Sequence, residues 1–315
     1  MGLDGPPLGA EGAGIVATVG TFDGVHLGHR EVLREIVRRA AGSGRGSALI
    51  TFEPHPLRVV RPEDAPPLLT SLDEKAELLR DSGLDYLCVL PFTPVLQAYR
   101  ARRFVTEILL ERVQMRELVM GYDHGFGRGR EGSVETLREL GVELGFGVDV
   151  VEAVLLDDAP VSSTRVRNLL TAGEVAPAAR LLGRPYSLRG TVQRGDRRGR
   201  ELGFPTANIQ VEPPEKLLPE PGIYAARGLV DGERIPGLLH LGPRPTFRGA
   251  GPAVELHLLD WTGDLYDREL TVEFCGRLRD IVAYASPEEL VAQMHRDAAE
   301  GRRLLSGDGP ESACV

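Results

Sequence analysis

The sequence predicts an α/β protein in two parts, a parallel-sheet unit followed by a small antiparallel β-barrel with a closing helix. Three observations predict it. From Ile15 to about Leu182, short apolar runs alternate with segments of helical periodicity, the sequence form of βαβ units. Around Leu182-Gly183-Arg184-Pro185 the texture changes, and from Tyr186 to about Phe274 many short strand-like runs are punctuated by Gly and Pro. The chain has 315 residues, enough for two domains each with its own core.

In the first part the expected strands are the apolar runs Ile15–Val19, Ala48–Phe52, Tyr86–Leu90, Leu118–Gly121 and Val148–Val151. Between them, Glu31–Ala41, Asp73–Asp81, Phe104–Val113 and Ser133–Leu140 carry apolar residues at helical spacing. In the second part Leu188–Gln193, Ile223–Leu229, Glu255–Leu259 and Leu270–Phe274 read as strands. Helix returns after Ser286-Pro287-Glu288-Glu289, a Ser cap with Pro in the first turn and acids behind it. The expected domains are residues 15–183 and 184–305. Residues 1–14, rich in Gly and Pro, and the small polar residues 306–315 are expected as disordered tails.

Hydrophobic content of 42% and charged content of 26% are those of an ordinary soluble globular protein. With 37 Lys and Arg against 46 Asp and Glu the net charge is −9, which argues against nucleic acid or an anionic membrane as partner. A local cationic pocket for ATP remains compatible with it. Cys88, Cys275 and Cys314 fit neither a zinc spacing nor a disulfide framework and suggest a reducing compartment. No apolar stretch approaches the roughly 18 residues of a membrane span, and no leader-like segment opens the chain. The expected location is cytoplasmic.

The most informative stretch is Thr18-Val19-Gly20-Thr21-Phe22-Asp23-Gly24-Val25-His26-Leu27-Gly28-His29. An apolar strand runs into a Gly-containing turn, and two histidines spaced i, i+3 follow at the start of a helix. A helix start offers unpaired N–H groups and the positive end of the dipole to an anion. Residues three apart share a face, so both imidazoles can meet the same anion. This suits attack on the α-phosphate of a nucleoside triphosphate, where charge builds on oxygens and positioned donors lower the barrier. A pair of metal ligands is the alternative. Such sites want a third ligand and often a Glu beside the first His, whereas Leu27 and Gly28 occupy the middle here.

Further motifs follow the strands. Thr51-Phe52-Glu53-Pro54-His55-Pro56 ends the second strand at the same edge, where two prolines would hold His55; a plain Pro-rich loop reads equally well. Gly127, Gly129 and Gly132 match G-x-G-x-x-G, with Glu152 twenty residues on. A dinucleotide fingerprint needs those glycines at the strand–helix turn, and these lie further along a basic loop. The loop from Gly121 through Asp123 better fits a wall of the substrate pocket. Ser162-Ser163-Thr164-Arg165-Val166-Arg167 opens another helix. Its hydroxyls can cap N–H groups while an arginine one turn in reaches a phosphate or simply faces solvent. In the barrel segment Gly199 to Asn208, glycines let backbone approach phosphates. Thr206 and Asn208 offer a hydroxyl and an amide oxygen to a hard cation such as Mg²⁺, with turn chemistry as the plainer account. Val254-Glu255-Leu256-His257-Leu258 alternates, so Glu255 and His257 share a face, either as solvated residues or with Glu255 as a general base.

The segment G-x-F-D-x-x-H-x-G-H resembles the signature of the nucleotidylyltransferase superfamily, in its flavin-adenylylating branch. G-x-V-x-x-G-x-x-x-G-R-x-L-G-F-P-T-A-N, then G-I-Y-A, L-G-x-R-P-T-F and E-x-H-L-L-D, is similar to the riboflavin kinase module. In order, from about residue 15 to 305, these motifs resemble the prokaryotic bifunctional riboflavin kinase/FMN adenylyltransferases, or FAD synthetases. The resemblance implies a Rossmann-like nucleotidylyltransferase domain over 15–183 and a riboflavin kinase barrel over 184–305. It implies phosphorylation of riboflavin by ATP to FMN, then adenylylation of FMN by ATP to FAD with release of pyrophosphate, both with Mg²⁺. By the same resemblance His26 and His29 stabilise the α-phosphate transition state and Glu255 is the kinase base. Gly20, Phe22, Asp23, Gly24 and His55 lie against the nucleotide, with Ser163, Thr164 and Arg167 as a second clamp. Gly199, Arg200 and Gly203 bind phosphate in the kinase, Thr206 and Asn208 hold the metal, and Asp123, Arg244 and Thr246 face flavin. Riboflavin, FMN and ATP are the implied partners, with no nucleic acid and no membrane; weak self-association is compatible. This chain departs from the commonest pattern at His124, at Tyr266-Asp267 and at Asp280 to Tyr284. A nucleotidyltransferase with a flavin-sensing barrel, or a flavin-binding regulator, would require losses in these motifs, and all are present.

Overall fold

The computed structural model describes residues 8, 13–122, 131–194, 203–242 and 253–306. The chain divides into two compact units, Met1–Val161 and Ser162–Val315.

The first unit is built on five parallel strands, β1 (Ile15–Val19), β2 (Gly46–Glu53), β3 (Tyr86–Pro91), β4 (Met115–Gly121) and β5 (Gly147–Val151), in the order β3-β2-β1-β4-β5. β1 is buried along its whole length because it is covered on both faces, which is why it reads as an unbroken apolar run. Ile15, Ala17 and Val19 enter one core cluster with Ile50, Phe104 and Leu137. Val16 enters the other, with Leu33, Ile36 and Val119. Helix α1 (Leu27–Ser43) supplies the second cluster. The first is supplied by the π-helical segment (Phe104–Leu110) that continues α5 (Ala101–Arg103), and by α6 (Val134–Leu144). Short helices α2 (Pro56–Val60), α3 (Leu72–Arg80) and α4 (Pro94–Gln97) lie in the connections after β2 and β3, and a two-strand hairpin, β6 (Leu155–Leu156) with β7 (Ala159–Pro160), follows β5. The winding runs outward from β1 to β3 and then returns to β4. That reversal beside β1 is a topological switch point, and the crevice beyond the carboxyl ends of β1 and β4 is where such sheets bind ligands.

The second unit opens with helices α7 (Ser163–Thr171) and α8 (Val175–Leu182). Six antiparallel strands follow: β8 (Tyr186–Gln193), β9 (Ala207–Val211), β10 (Gly222–Val230), β11 (Glu233–Gly242), β12 (Ala253–Leu258) and β13 (Glu269–Arg279). They close into a barrel in the order β10-β11-β12-β9-β8-β13. Tyr224 and Phe274 meet edge to face at 5.1 Å inside it, with Leu188, Leu239 and Val272 also buried. The expected closing helix is α9 (Pro287–Leu305), capped by Ser286, whose hydroxyl accepts from the Glu289 N–H. It docks through Leu304 and Leu305 on Ala225 and Cys275, and through Ala298 on Leu238 and Leu259. Cys88 is a buried free thiol. Against the reading from cysteine spacing, Cys275 is disulfide-bonded.

Candidate active sites

In the first unit the end of β1 is fixed before the turn begins. The Gly20 N–H donates to Ile50 O at 2.9 Å, and Thr21 O accepts from the Thr51 hydroxyl at 3.1 Å and from Lys75 Nζ at 2.7 Å. The turn itself takes positive φ at Phe22 (47°), Gly24 (85°) and Val25 (41°), a costly conformation for the two non-glycine residues that its surroundings must hold. Asp23 does this holding. Its buried carboxylate accepts from the N–H groups of Leu69 and Thr70, at 3.0 and 2.9 Å, and from the Thr70 hydroxyl at 3.1 Å. The same hydroxyl accepts from the Gly24 N–H at 3.0 Å.

The turn delivers the chain to α1, which starts four residues earlier than the periodicity predicts. His26 is its N-cap, and the His26 Nδ1 accepts the His29 N–H at 3.2 Å. That bond places the proton of a neutral His26 ring on Nε2, leaving Nε2–H as a donor. The two imidazoles stack at 3.6 Å and 15°, and His29 stacks in turn on Phe22 at 4.5 Å. The i, i+3 spacing therefore yields a ring pair stiffened by an aromatic backstop. Gly28 packs closely here: a Cβ there would lie 3.2 Å from the His26 ring and 3.4 Å from Val161 O, so the ring would have to give slightly to admit one. Val161 is the residue before Ser162-Ser163-Thr164. Among the described residues no group of three or more His, Cys, Asp or Glu is placed to hold a metal.

His55 caps α2, its Nδ1 accepting from the Leu57 N–H at 3.2 Å, directly after β2 as the motif suggests. Ser162 caps α7, its hydroxyl accepting from the Arg165 N–H at 3.2 Å, so Ser163, Thr164 and Arg167 occupy the first turns of that helix. Lys75 was not foreseen. Nothing around it is a motif except the capping box of α3 formed by Ser71 and Glu74. Burial pushes its pKa below the usual lysine range, against the pull of the Asp23 and Glu53 carboxylates.

In the barrel, β12 alternates as expected: Val254, Leu256 and Leu258 are buried while Glu255 and His257 face out half-buried. Strand register puts Glu255 opposite Asn208 of β9 on one side and opposite His240 of β11 on the other. Thr206 directly precedes β9, two residues before the Asn208 that pairs with Glu255. His257 Nδ1 lies 2.8 Å from Pro205 O and its ring packs edge-on against Phe204, which pins the loop ahead of Thr206. A cavity of about 380 Å³ opens there, lined by Thr206, Ala207, Leu256 and the loop at Trp261 to Tyr266. Gly203, at φ 83°, lines a neighbouring cavity of about 570 Å³ with Phe204, His257 and His295. Asp123, Gly199, Arg200, Arg244 and Thr246 lie outside the described residues.

Comparison with known proteins matches both parts of the chain. A family model described as FAD synthetase matches residues 10–165, and one described as riboflavin kinase matches residues 182–305. A bifunctional riboflavin kinase/FMN adenylyltransferase of Pseudomonas fluorescens is 41% identical over 300 residues, covering 95% of this chain and 96% of its own. The protein of the same description from Escherichia coli strain K12 is 37% identical over 293 residues, 93% of each chain. A solved structure from Streptococcus pneumoniae, described as a macrolide-efflux protein, matches with a TM-score of 0.84 at 27% identity, over 92% of this chain and 94% of that one. Among the described residues of the present chain, no helix is long and apolar enough to cross a membrane.

Proposed function

The chain belongs to the bifunctional riboflavin kinase/FMN adenylyltransferase family, and from that premise we propose that its barrel phosphorylates riboflavin with ATP and its parallel-sheet unit adenylylates the FMN so formed to FAD. In the adenylylation an oxygen of the FMN phosphate attacks the α-phosphorus of ATP and pyrophosphate leaves. The observation that carries this reading is the stacked His26–His29 pair at the start of α1, at the switch point of the sheet. His26 and His29 donate to the α-phosphate oxygens as charge builds there. Gly20, Phe22 and Gly24 shape the floor beneath the triphosphate, and Asp23 acts by holding that floor to Leu69 and Thr70. His55, Ser163, Thr164 and Arg167 complete the anion site, and Asp123 faces the flavin.

In the kinase Glu255 takes the proton of the riboflavin 5′-hydroxyl as that oxygen attacks the γ-phosphorus and ADP leaves. Thr206 and Asn208 form a hard-oxygen donor set beside it, which suits Mg²⁺, and bound there the cation would neutralise phosphate charge. Gly199, Arg200 and Gly203 approach the phosphates, and Arg244 and Thr246 the flavin. Use of ATP for both steps supports a cytoplasmic location. The domain division of the family, near residue 183, is taken as the division between the two chemistries.

The test is to incubate the protein with riboflavin, ATP and Mg²⁺ and separate the flavins by chromatography. Wild type should pass through FMN to FAD. His29→Ala should accumulate FMN and form no FAD, whereas Glu255→Gln should convert added FMN to FAD but phosphorylate riboflavin with a kcat lowered by about 10²–10⁴-fold. A folded His29→Ala protein lacking both activities would refute two separate sites.

A further inference from the structure

β9, β12 and β11 are neighbours in the barrel, and their registers align Asn208, Glu255 and His240 in one cross-strand row. Directly opposed residues in such a row have Cβ atoms about 4.5–5.5 Å apart and project to the same side of the sheet. Within the row, His240 Nδ1 approaches Glu255 Oε2 to 3.6 Å. The side chains are 31% and 35% exposed, open enough for a substrate to reach and enclosed enough to be held. The imidazole has a built seat: a Cβ on Gly242 would lie 2.8 Å from His240 Nε2 and 2.4 Å from Ile281 Cδ1, so the glycine after Leu241 makes room for both. On its other side β11 pairs His240 with Ile223 of β10, which brings no charge to the ring.

We propose that His240 is a positioning residue for the kinase, its Nδ1 edge standing at ion-pair distance, 3.6 Å, from Oε2 of Glu255 so that Oε1 is the oxygen presented to the riboflavin hydroxyl. The inference rests on the reading of Glu255 as the base. A carboxylate on a strand face rotates freely about its last bond unless one oxygen is engaged, and a general base works only when its acceptor is aimed at the proton. Asn208 is committed to the metal side of the row in the proposed mechanism, so His240 is the group left to fix the carboxylate from the other. His240 touches neither riboflavin nor phosphate in this account and acts only through Glu255.

The experiment is a double-mutant cycle in the full-length protein. Riboflavin kinase kcat and KM are measured for wild type, His240→Ala, Glu255→Gln and the double variant, with FAD formation from added FMN as the check on folding. His240→Ala should lower kinase kcat about tenfold and leave riboflavin KM within about twofold, as expected for an interaction that matters in the transition state. In the Glu255→Gln background the same change should have no further effect, because the group it acts through is gone. His240→Asn, which keeps an N–H at the δ position, should restore most of the rate, and His240→Gln, whose N–H is one atom further out, should not. A kcat within twofold of wild type for His240→Ala overturns the proposal, as does an effect that persists in full beside Glu255→Gln. If Glu255→Gln alone retains wild-type kcat, the base itself is misassigned and the positioning role falls with it. The Asn and Gln variants decide the case if the alanine variant proves unstable.

Discussion

Lys75 brings an ammonium group to a place where it is 5% exposed and where its Nζ donates to Thr21 O at 2.7 Å, directly under the turn that carries Phe22 and Gly24. Thr51 shares that carbonyl from β2, so three segments of chain converge on one oxygen. Lys75→Met keeps the stem and removes the donor, leaving a buried carbonyl with the Thr51 hydroxyl alone and the Asp23 and Glu53 carboxylates without their nearby cation. Leaving buried polar groups short of partners costs about 1–3 kcal/mol, and here it is taken from the geometry of the turn proposed for adenylylation. FMN adenylylation should therefore fall by about tenfold or more, roughly 1.4 kcal/mol, while riboflavin phosphorylation in the same protein stays at the wild-type rate. An unchanged kcat/KM for FAD formation would show that the turn does not depend on Lys75. The stacked histidine pair was legible in the sequence because it resides in an i, i+3 spacing. Lys75 was not, because its role arises only when α3 docks, bringing it to a carbonyl 54 residues away. Asp23 was expected against the nucleotide, and its attachment to the backbone of Leu69 and Thr70 was not legible.

Helix α1 connects that site to the rest of its unit. Its first turn holds His26 and His29, and further along Arg39 pairs with Glu35 on the helix, Glu117 on β4 and Asp149 on β5. Glu35 accepts from Arg38 Nη2 and from Arg39 Nε, both at 2.6 Å, and the bonds from Arg38 and then Arg39 hold its pKa down to about 2 against the cost of burial. The native state thus keeps Glu35 ionised where the unfolded chain, at the ordinary 4.5, already binds a proton. The stabilisation is complete above pH 4.5 and is lost as the pH falls toward 2. Glu35→Gln should lower stability at pH 7 by about 1 kcal/mol or less, since the pair is near the surface, and the gap to wild type should close toward pH 2. Urea midpoints at the two pH values measure it, and a gap independent of pH would mean that the carboxylate charge contributes nothing. At this scale the long apolar elements were legible: β1 is found as read, and the other strands of the sheet extend theirs by a few residues at most. What periodicity could not supply was β9 and β11. β9 is half polar because Asn208 and Gln210 face outward, and β11 carries Pro236, which donates nothing to the ladder. Both are strands because the barrel must close, a condition no local window contains.

The whole molecule raises a different question, because compactness and chemistry divide the chain at different places. The compact units separate after Val161, whereas the change in sequence texture and the start of the riboflavin kinase match fall near residue 183. The residues between are α7 and α8. α8 packs on β8 and β13 and buries Val175, Ala178, Ala179, Leu181 and Leu182, and α7 packs on α8. Yet α7 begins with Ser163, Thr164 and Arg167, which the proposed mechanism assigns to the triphosphate of the adenylylation. The proposed mechanism thus draws these residues from a helix pair that packs on the barrel. Two fragments test this. Residues 162–306 should phosphorylate riboflavin and unfold at a higher temperature than residues 184–306, because removing α8 exposes strand surface that several buried apolar side chains cover, each worth about 1.5–3 kcal/mol when large. Residues 1–161 keep His26, His29 and the whole parallel sheet but lack Ser163, Thr164 and Arg167, so they should fold and yet form no FAD from FMN and ATP. If residues 1–161 adenylylate FMN at the full-length rate, the α7 residues have no part in that chemistry, and the two activities divide where the compact units do.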